Sequence, residues 1–276
     1  MDKGVLYLLA GKKHWNHFVV SLVSLKNHWD GPVCIACADD EALQMYQWVK
    51  DDGAFPEVIK VDIRDDFHNR RNGAYLVKTR MIDYSPFDKT VFLDADTLVV
   101  GSIEDIFPQG SEVRLTQFSD WVTTGKKMSK RIDHWKELLP DEVAHMQAHA
   151  YPAINTGVLG FSKKSTEFSE KWQEVSEQLV RFMVDELVAQ LIYPEFLHTV
   201  LSDRYNASPV YSKSPYDDVR VWHGHGGKMH KNERGRKLWY PVFEAVLGEN
   251  YANIQEWWTA PRYPGKDYKL KQEPDS

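Results

Sequence analysis

The residues whose types and spacing could do chemistry close a short apolar run, Thr90 to Val100, TVFLDADTLVV. Val91, Phe92 and Leu93 read as a buried strand that stops at two carboxylates, Asp94 and Asp96, with small Ala95 between them. In extended chain the side chains alternate, so the two aspartates share a face and Ala95 turns away. Two anions this close repel, and a divalent cation with oxygen ligands between them relieves the repulsion. A second polar centre, His223-Gly224-His225-Gly226-Gly227-Lys228, follows another strand-like run, Val219 to Trp222. Its glycines let the backbone approach a ligand and offer N–H groups to phosphate oxygens, Lys228 supplies charge, and an imidazole can complete a metal site. Together the two centres suit a metal-bound diphosphate.

The elements that must position these residues begin with a strand at Val5 to Ala10 and a helix from His17 to His28. A second strand, Val33 to Ala38, leads to Asp39, which caps a helix with Leu43, Tyr46 and Val49 facing inward. Val58 to Asp62 is a third strand, and Ala74 to Asp83 a helix carrying Lys78 and Arg80. Strands alternating with helices ahead of the Asp94 strand predict a parallel, doubly wound α/β sheet, which binds ligands at the carboxyl ends of its strands. Ser102 caps a short helix from Ile103 to Phe107. Residues 120 to 150 lack a strong period and read as an insertion on the substrate side. Ile154 to Phe161 is strand again, and helices follow from Ser165 to Phe182 and after Asp185-Glu186.

At 276 residues and 42% hydrophobic content the chain supports one large catalytic domain, placed at 1–260, with a poorly ordered tail at 261–276. A net charge of −6 gives no electrostatic reason to expect nucleic acid. No apolar run reaches the length of a transmembrane segment, and the N-terminus reads as a first strand rather than a secretory signal. The two cysteines, Cys34 and Cys37, fall inside the second strand and read as small buried hydrophobes. Free thiols without a disulfide framework favour a reducing, cytoplasmic setting.

TVFLDADTLVVGSIEDIF resembles the metal-binding signature of glycosyltransferase family 8, the retaining GT-A group that includes glycogenin and bacterial lipopolysaccharide galactosyltransferases. Lys78 falls where that family has a basic residue for the sugar-nucleotide, and Asn155-Thr156-Gly157-Val158 resembles its sugar-pocket segment. Asp185-Glu186 resembles an Asp-Gln pair beside the reacting sugar, and His223 with Gly226 resembles a late His-x-x-Gly element. The resemblance runs approximately from residue 4 to residue 230. It implies a GT-A nucleotide-diphospho-sugar transferase fold, Rossmann-like, with a mostly parallel central sheet flanked by helices. It further implies Mn²⁺ or Mg²⁺ on Asp94, Asp96 and His223, catalytic roles for Lys78, Asn155 and Asp185, and transfer of glucose or galactose from a UDP-sugar with retention. The nucleotide site would comprise Leu8, Ala10, Gly11, His14, Lys78, Asp94, Ala95, Asp96, Gly226 and Lys228.

The chain departs from the family in three places. Lys228 lies five rather than six residues after His223 and is followed by Met229-His230 instead of Pro-Trp, so His225 competes with His223 as the ligand. Ala10 and Gly11 replace small polar residues, and the aromatic that stacks on uracil falls near His14 or Trp15. The acceptor, whether glycan, lipid or protein, is not encoded legibly, and a homodimer stays open. Trp121, Trp135, Trp239, Trp257 and Trp258 are candidates for an acceptor groove, with helix packing as the competing reading. Two rival functions use the same residues: a haloacid-dehalogenase-type phosphatase with Asp94 as nucleophile and Asp96 as general acid, and an inactive sugar-nucleotide-binding protein.

Overall fold

Runs of β-branched and apolar residues form the centre of the molecule, seen in a computed structural model that describes residues 1–12, 14–53, 55, 57–67, 73–118, 140, 141, 144, 152–178, 185–210, 212, 216–224 and 233–248. Strands β1 (Lys3–Leu9), β2 (Val33–Cys37), β3 (Val58–Asp62) and β4 (Lys89–Leu93) lie parallel. After β5 (Thr97–Val99), which leaves the sheet, come β6 (Val113–Gln117), β7 (Ile154–Ser162) and β8 (His198–Leu201). The seven-stranded order is β3-β2-β1-β4-β7-β6-β8, and β7 alone runs against the others. All nine residues of β7 are buried, as expected of a strand covered on both faces. Alternating strand and helix patterns predict only parallel strands; the reversal of β7 is a long-range pairing outside their reach. The reversal sets the N-terminal end of β7, Ile154 to Gly157, beside the carboxyl end of β4.

Helices α1 (Trp15–Lys26) and α2 (Asp40–Asp51) cover one face; α3 (Gly73–Lys78), α4 (Met81–Tyr84), α5 (Thr166–Gln178) and α6 (Asp185–Ile192) cover the other. Residues of β4 divide accordingly: Val91 and Leu93 join the α1 core, Phe92 the α6 core. Each fully buried Leu or Phe contributes about 1.5–3 kcal/mol of transfer free energy. Asp39 caps α2 by accepting a hydrogen bond from Ala42 N at 2.8 Å. The predicted helix 74–83 is divided in two, since Thr79 returns its hydroxyl to Leu76 O at 2.7 Å while its own carbonyl accepts from Ser169 Oγ at 2.8 Å. Residues 103–107 form a 3-10 turn at Glu104–Ile106 rather than an α-helix.

A separate two-stranded ribbon pairs β5 with β9 (Val221–His223) antiparallel, Thr97 opposite His223. Against it packs α7 (Glu233–Gly248), where Trp239 and Phe243 stack at 4.6 Å and join Leu98 and Trp222 in a third cluster. Trp239 is therefore a core residue. Cys34 and Cys37 are buried in β2 as free thiols, and burial pushes both up to about 12. No helix among the described residues is long and apolar enough to cross a membrane. Residues 120–139, 145–150 and 261–276, with Trp121, Trp135, Trp257 and Trp258, lie outside the described residues.

Candidate functional site

The pair of aspartates owes its geometry to a turn. Strand β4 ends at Leu93, and the chain reverses so that Thr97 N and Thr97 Oγ1 both donate to Asp94 O, at 3.1 and 2.9 Å. A buried hydroxyl chain behind the turn holds Thr97: Ser21 Oγ lies 2.7 Å from Thr97 Oγ1 and 2.9 Å from Tyr7 OH. Asp94 N donates to Gly157 O at 2.7 Å, which ties the turn to β7. Asp96 O accepts Gly224 N at 2.8 Å, which ties it to the end of β9. The two carboxylates meet as foreseen, by this turn rather than by the pleat of a strand.

His223 closes the group from 127 residues away, carried there by the β5–β9 ribbon. Its Nε2 lies 3.0 Å from Asp96 Oδ1 and 3.6 Å from Asp94 Oδ2. Its Nδ1 lies 2.9 Å from Asn206 Oδ1. The ring rests on the backbone of Gly157, where any β-carbon would overlap it, so the glycine in β7 is a requirement of the site. One ligand atom from each of Asp94, Asp96 and His223 lies within 4.8 Å of the others. Two carboxylates and one imidazole at this spacing fit a divalent metal ion. Burial, assisted by Asp96, raises the pKa of Asp94 against the pull of Lys78 and His223. Burial works to lower that of His223, but Asp96 and Asp94 outweigh it and the imidazole is raised.

On the other side of Asp94 stands Lys78, at the end of α3. Its Nζ is 2.9 and 3.0 Å from the two oxygens of Asp94, 3.2 Å from Asp185 Oδ2 and 5.2 Å from the centre of the Phe92 ring. Burial disfavours the ammonium, yet the two carboxylates hold its pKa above the usual lysine value. Asp185 opens α6, accepts Thr156 Oγ1 at 3.2 Å, and has its backbone carbonyl fixed by Trp172 Nε1 at 2.9 Å. Asn155 donates from Nδ2 to Glu186 Oε2 at 2.5 Å and accepts Gly157 N on Oδ1 at 2.9 Å. The phenol of Tyr75, on α3 with Lys78, is raised by burial and then by the carboxylate of Asp185.

Of the residues anticipated from sequence, Lys78, Asp94, Asp96, Asn155, Asp185 and His223 thus converge at the carboxyl end of β4. Leu8, Ala10, Gly11 and His14 lie at the end of β1 and in the turn after it, where Gly11, at φ 64°, donates to Asp39 Oδ2 at 2.5 Å and His14 meets the His17 ring at 6.1 Å. Ala95 leans half-buried on the α1 core. His225, Gly226 and Lys228 lie outside the described residues. Sequence reasoning missed Asn206 and the Tyr7–Ser21–Thr97 chain. Ser21 and Ser24 on the buried face of α1 were the available signal, since polar groups on a buried helix face need partners.

No protein-family model matches the chain, and no curated protein matches it in sequence. Solved structures do match. The galactosyltransferase LgtC, in complex with donor and acceptor sugar analogs, aligns with a TM-score of 0.60 at 14% identity over 89% of this chain and 95% of its own. The glycosyltransferase GlyE of Streptococcus pneumoniae aligns at 0.64 and 15% identity over 94% of this chain and 63% of its own. Mouse xyloside xylosyltransferase 1 aligns at 0.56 and 14% identity over 81% and 98%. The chain has the GT-A glycosyltransferase fold.

Proposed function

We propose that the protein is a metal-dependent, retaining glycosyltransferase that moves a hexose, glucose or galactose, from a UDP-sugar to a glycan, lipid or protein acceptor. The observation that carries this reading is the convergence of Asp94, Asp96 and His223 at the carboxyl end of a GT-A strand, with Lys78 and Asp185 on the far side of Asp94. Asp94, Asp96 and His223 would hold Mn²⁺ or Mg²⁺, which when bound supplies Lewis-acid stabilisation of the departing diphosphate. Lys78, a fixed ammonium between Asp94 and Asp185, contributes positive charge toward the same phosphates, and Lys228 adds a second. Leu8, Ala10, Gly11 and His14 line the nucleotide end, Asn155 orients the donor sugar, and Asp185 stabilises positive charge at the anomeric carbon. Single-domain organisation over 1–260 and a cytoplasmic setting belong to the same reading.

The phosphatase alternative needs its aspartates after the first strand of the domain, whereas here they follow the fourth. Incubation with UDP-glucose, UDP-galactose and p-nitrophenyl phosphate, with and without Mn²⁺, tests the proposal. Mn²⁺-dependent UDP release is expected. Phosphate-ester cleavage, or UDP binding with no turnover toward water or any acceptor, would overturn it in favour of one rival or the other.

A further inference from the structure

Asn206 is fully buried in the turn after the 3-10 segment Asp203–Tyr205, beside β9: Ala207 N donates to Val221 O at 2.9 Å, and His223 N to Ala207 O at 2.9 Å. The triplet Asn206-Ala207-Ser208 has the spelling of an N-glycosylation acceptor, which complete burial of the asparagine excludes. Its amide works inward. Nδ2 faces three oxygens: Thr116 Oγ1 at 2.8 Å, Asn155 Oδ1 at 3.1 Å and Asn155 O at 3.2 Å.

The orientation of this amide is determined by its neighbours. Asn155 must present its oxygen to Gly157 N–H and its nitrogen to the Glu186 carboxylate, so the Asn155 atom facing Asn206 is an acceptor. A backbone carbonyl is an acceptor as well, so the group facing both of them has to be the Asn206 NH₂. The Asn206 oxygen is left for His223 Nδ1, 2.9 Å away, and an oxygen there can only accept. Nδ1 therefore carries hydrogen in this contact. Nε2 faces acceptors as well, Asp96 Oδ1 at 3.0 Å and Asp94 Oδ2 at 3.6 Å, so the ring makes both contacts by donating from both nitrogens, and a cation that takes the place of the Nε2 proton leaves the Nδ1 hydrogen on Asn206.

We propose that Asn206 is a positioning residue that holds the Nδ1 hydrogen of His223, aims Nε2 between Asp94 and Asp96, and couples that ring to Asn155 in β7. The proposal rests on the metal reading above for its purpose, but the Asn206–His223 contact is a property of the chain alone. A residue of this kind, behind a metal ligand, sets ring orientation and basicity, and its loss typically costs about 10–100-fold in metal affinity.

Two measurements test it. In ¹⁵N-labelled, metal-free wild type, the histidine signal that disappears in His223→Gln should show a hydrogen on Nδ1; an Nδ1 without hydrogen overturns the proposal whether or not a metal ever binds. Calorimetry of Mn²⁺ with UDP is then run on wild type, Asn206→Ala, His223→Ala and the double variant. The expected result is a loss of about 10–100-fold in Asn206→Ala that shrinks below about threefold when His223 is already absent. A loss that persists in the His223→Ala background means that Asn206 only supports the fold, and overturns the proposal, as does no loss at all. If wild type and Asp96→Asn bind Mn²⁺ alike, the metal reading fails, and the nitrogen spectrum still decides whether Nδ1 holds its hydrogen on Asn206.

Discussion

Replacing Gly157 by Ala adds one methyl group, and its consequence can be worked from the contacts around it. The new β-carbon would overlap the His223 ring, and the ring has nowhere to retreat while Nδ1 is held at 2.9 Å by Asn206 and Nε2 at 3.0 Å by Asp96. The backbone beneath it is equally committed, being paired with Thr97 and bonded to Ala207 O. Either β7 shifts, which as overpacking costs about 1–3 kcal/mol, or the ring swings away and forfeits two buried hydrogen bonds at about 1 kcal/mol each. The stiffer unfolded chain returns only about 0.4–1 kcal/mol. A net loss of about 1–2 kcal/mol, or about 2–8 °C in melting temperature, is expected, together with weakened Mn²⁺ binding because the imidazole is displaced. Urea unfolding and calorimetry measure both. In the Gly157→Ala, His223→Ala double variant the overlap is gone, so the two substitutions should be less than additive. A Gly157→Ala protein with unchanged stability and Mn²⁺ affinity would refute the reasoning, since it would mean that the ring does not rest on that backbone.

Asp96→Asn keeps the shape of the side chain and its place beside His223 but removes the charge, so metal-dependent UDP release should be largely abolished with the circular dichroism spectrum unchanged; wild-type turnover would remove Asp96 from the site. Asp185→Asn should leave UDP-sugar affinity within a few-fold and lower single-turnover rate by roughly a hundredfold, the signature of a group that acts in the transition state; normal turnover would reduce Asp185 to a partner of Lys78 and the start of α6. The pH dependence of metal-free stability follows from His223, whose folded pKa is raised above its ordinary 6.5 by Asp96 and Asp94 despite burial. Such a group stabilises the fold below its unfolded pKa, and that contribution is lost as pH rises through the folded value. Burial raises Asp94 in the same sense. Urea midpoints of metal-free protein should accordingly fall between mildly acidic and alkaline buffer, by less in His223→Gln; equal slopes in the two proteins would contradict the assignment.

What could be read from the sequence, and what could not, follows the range of the interactions involved. Asp39 as a helix cap, Cys34 and Cys37 as strand residues, and the apolar run ending at Asp94 are local facts: a side chain against its own next turn, or a period of two. The convergence of Lys78, Asn155, Asp185 and His223 on that run was carried by resemblance, because periodicity contains nothing about separations of this size. The two features that make the site work depend on such separations. The reversal of β7 brings Asn155 and Gly157 to the same end of the sheet as Asp94, and the β5–β9 ribbon sets Thr97 opposite His223.

Asn206 illustrates why some determinants escape sequence reading. An asparagine after a 3-10 turn is an unremarked loop residue, and its three neighbours, Thr116, Asn155 and His223, come from β6, β7 and β9. Its meaning exists only once those strands are adjacent. Gly157 behaves likewise: as a strand residue it weakens pairing and offers no side chain to the core, a local cost that only the imbedded His223 ring explains. A sequence that tolerates a glycine and a fully buried amide at these two positions sacrifices local stability to hold one imidazole against two carboxylates. That is the pattern expected where a fold is built around a site, because breaches of local rules concentrate where function constrains the residue.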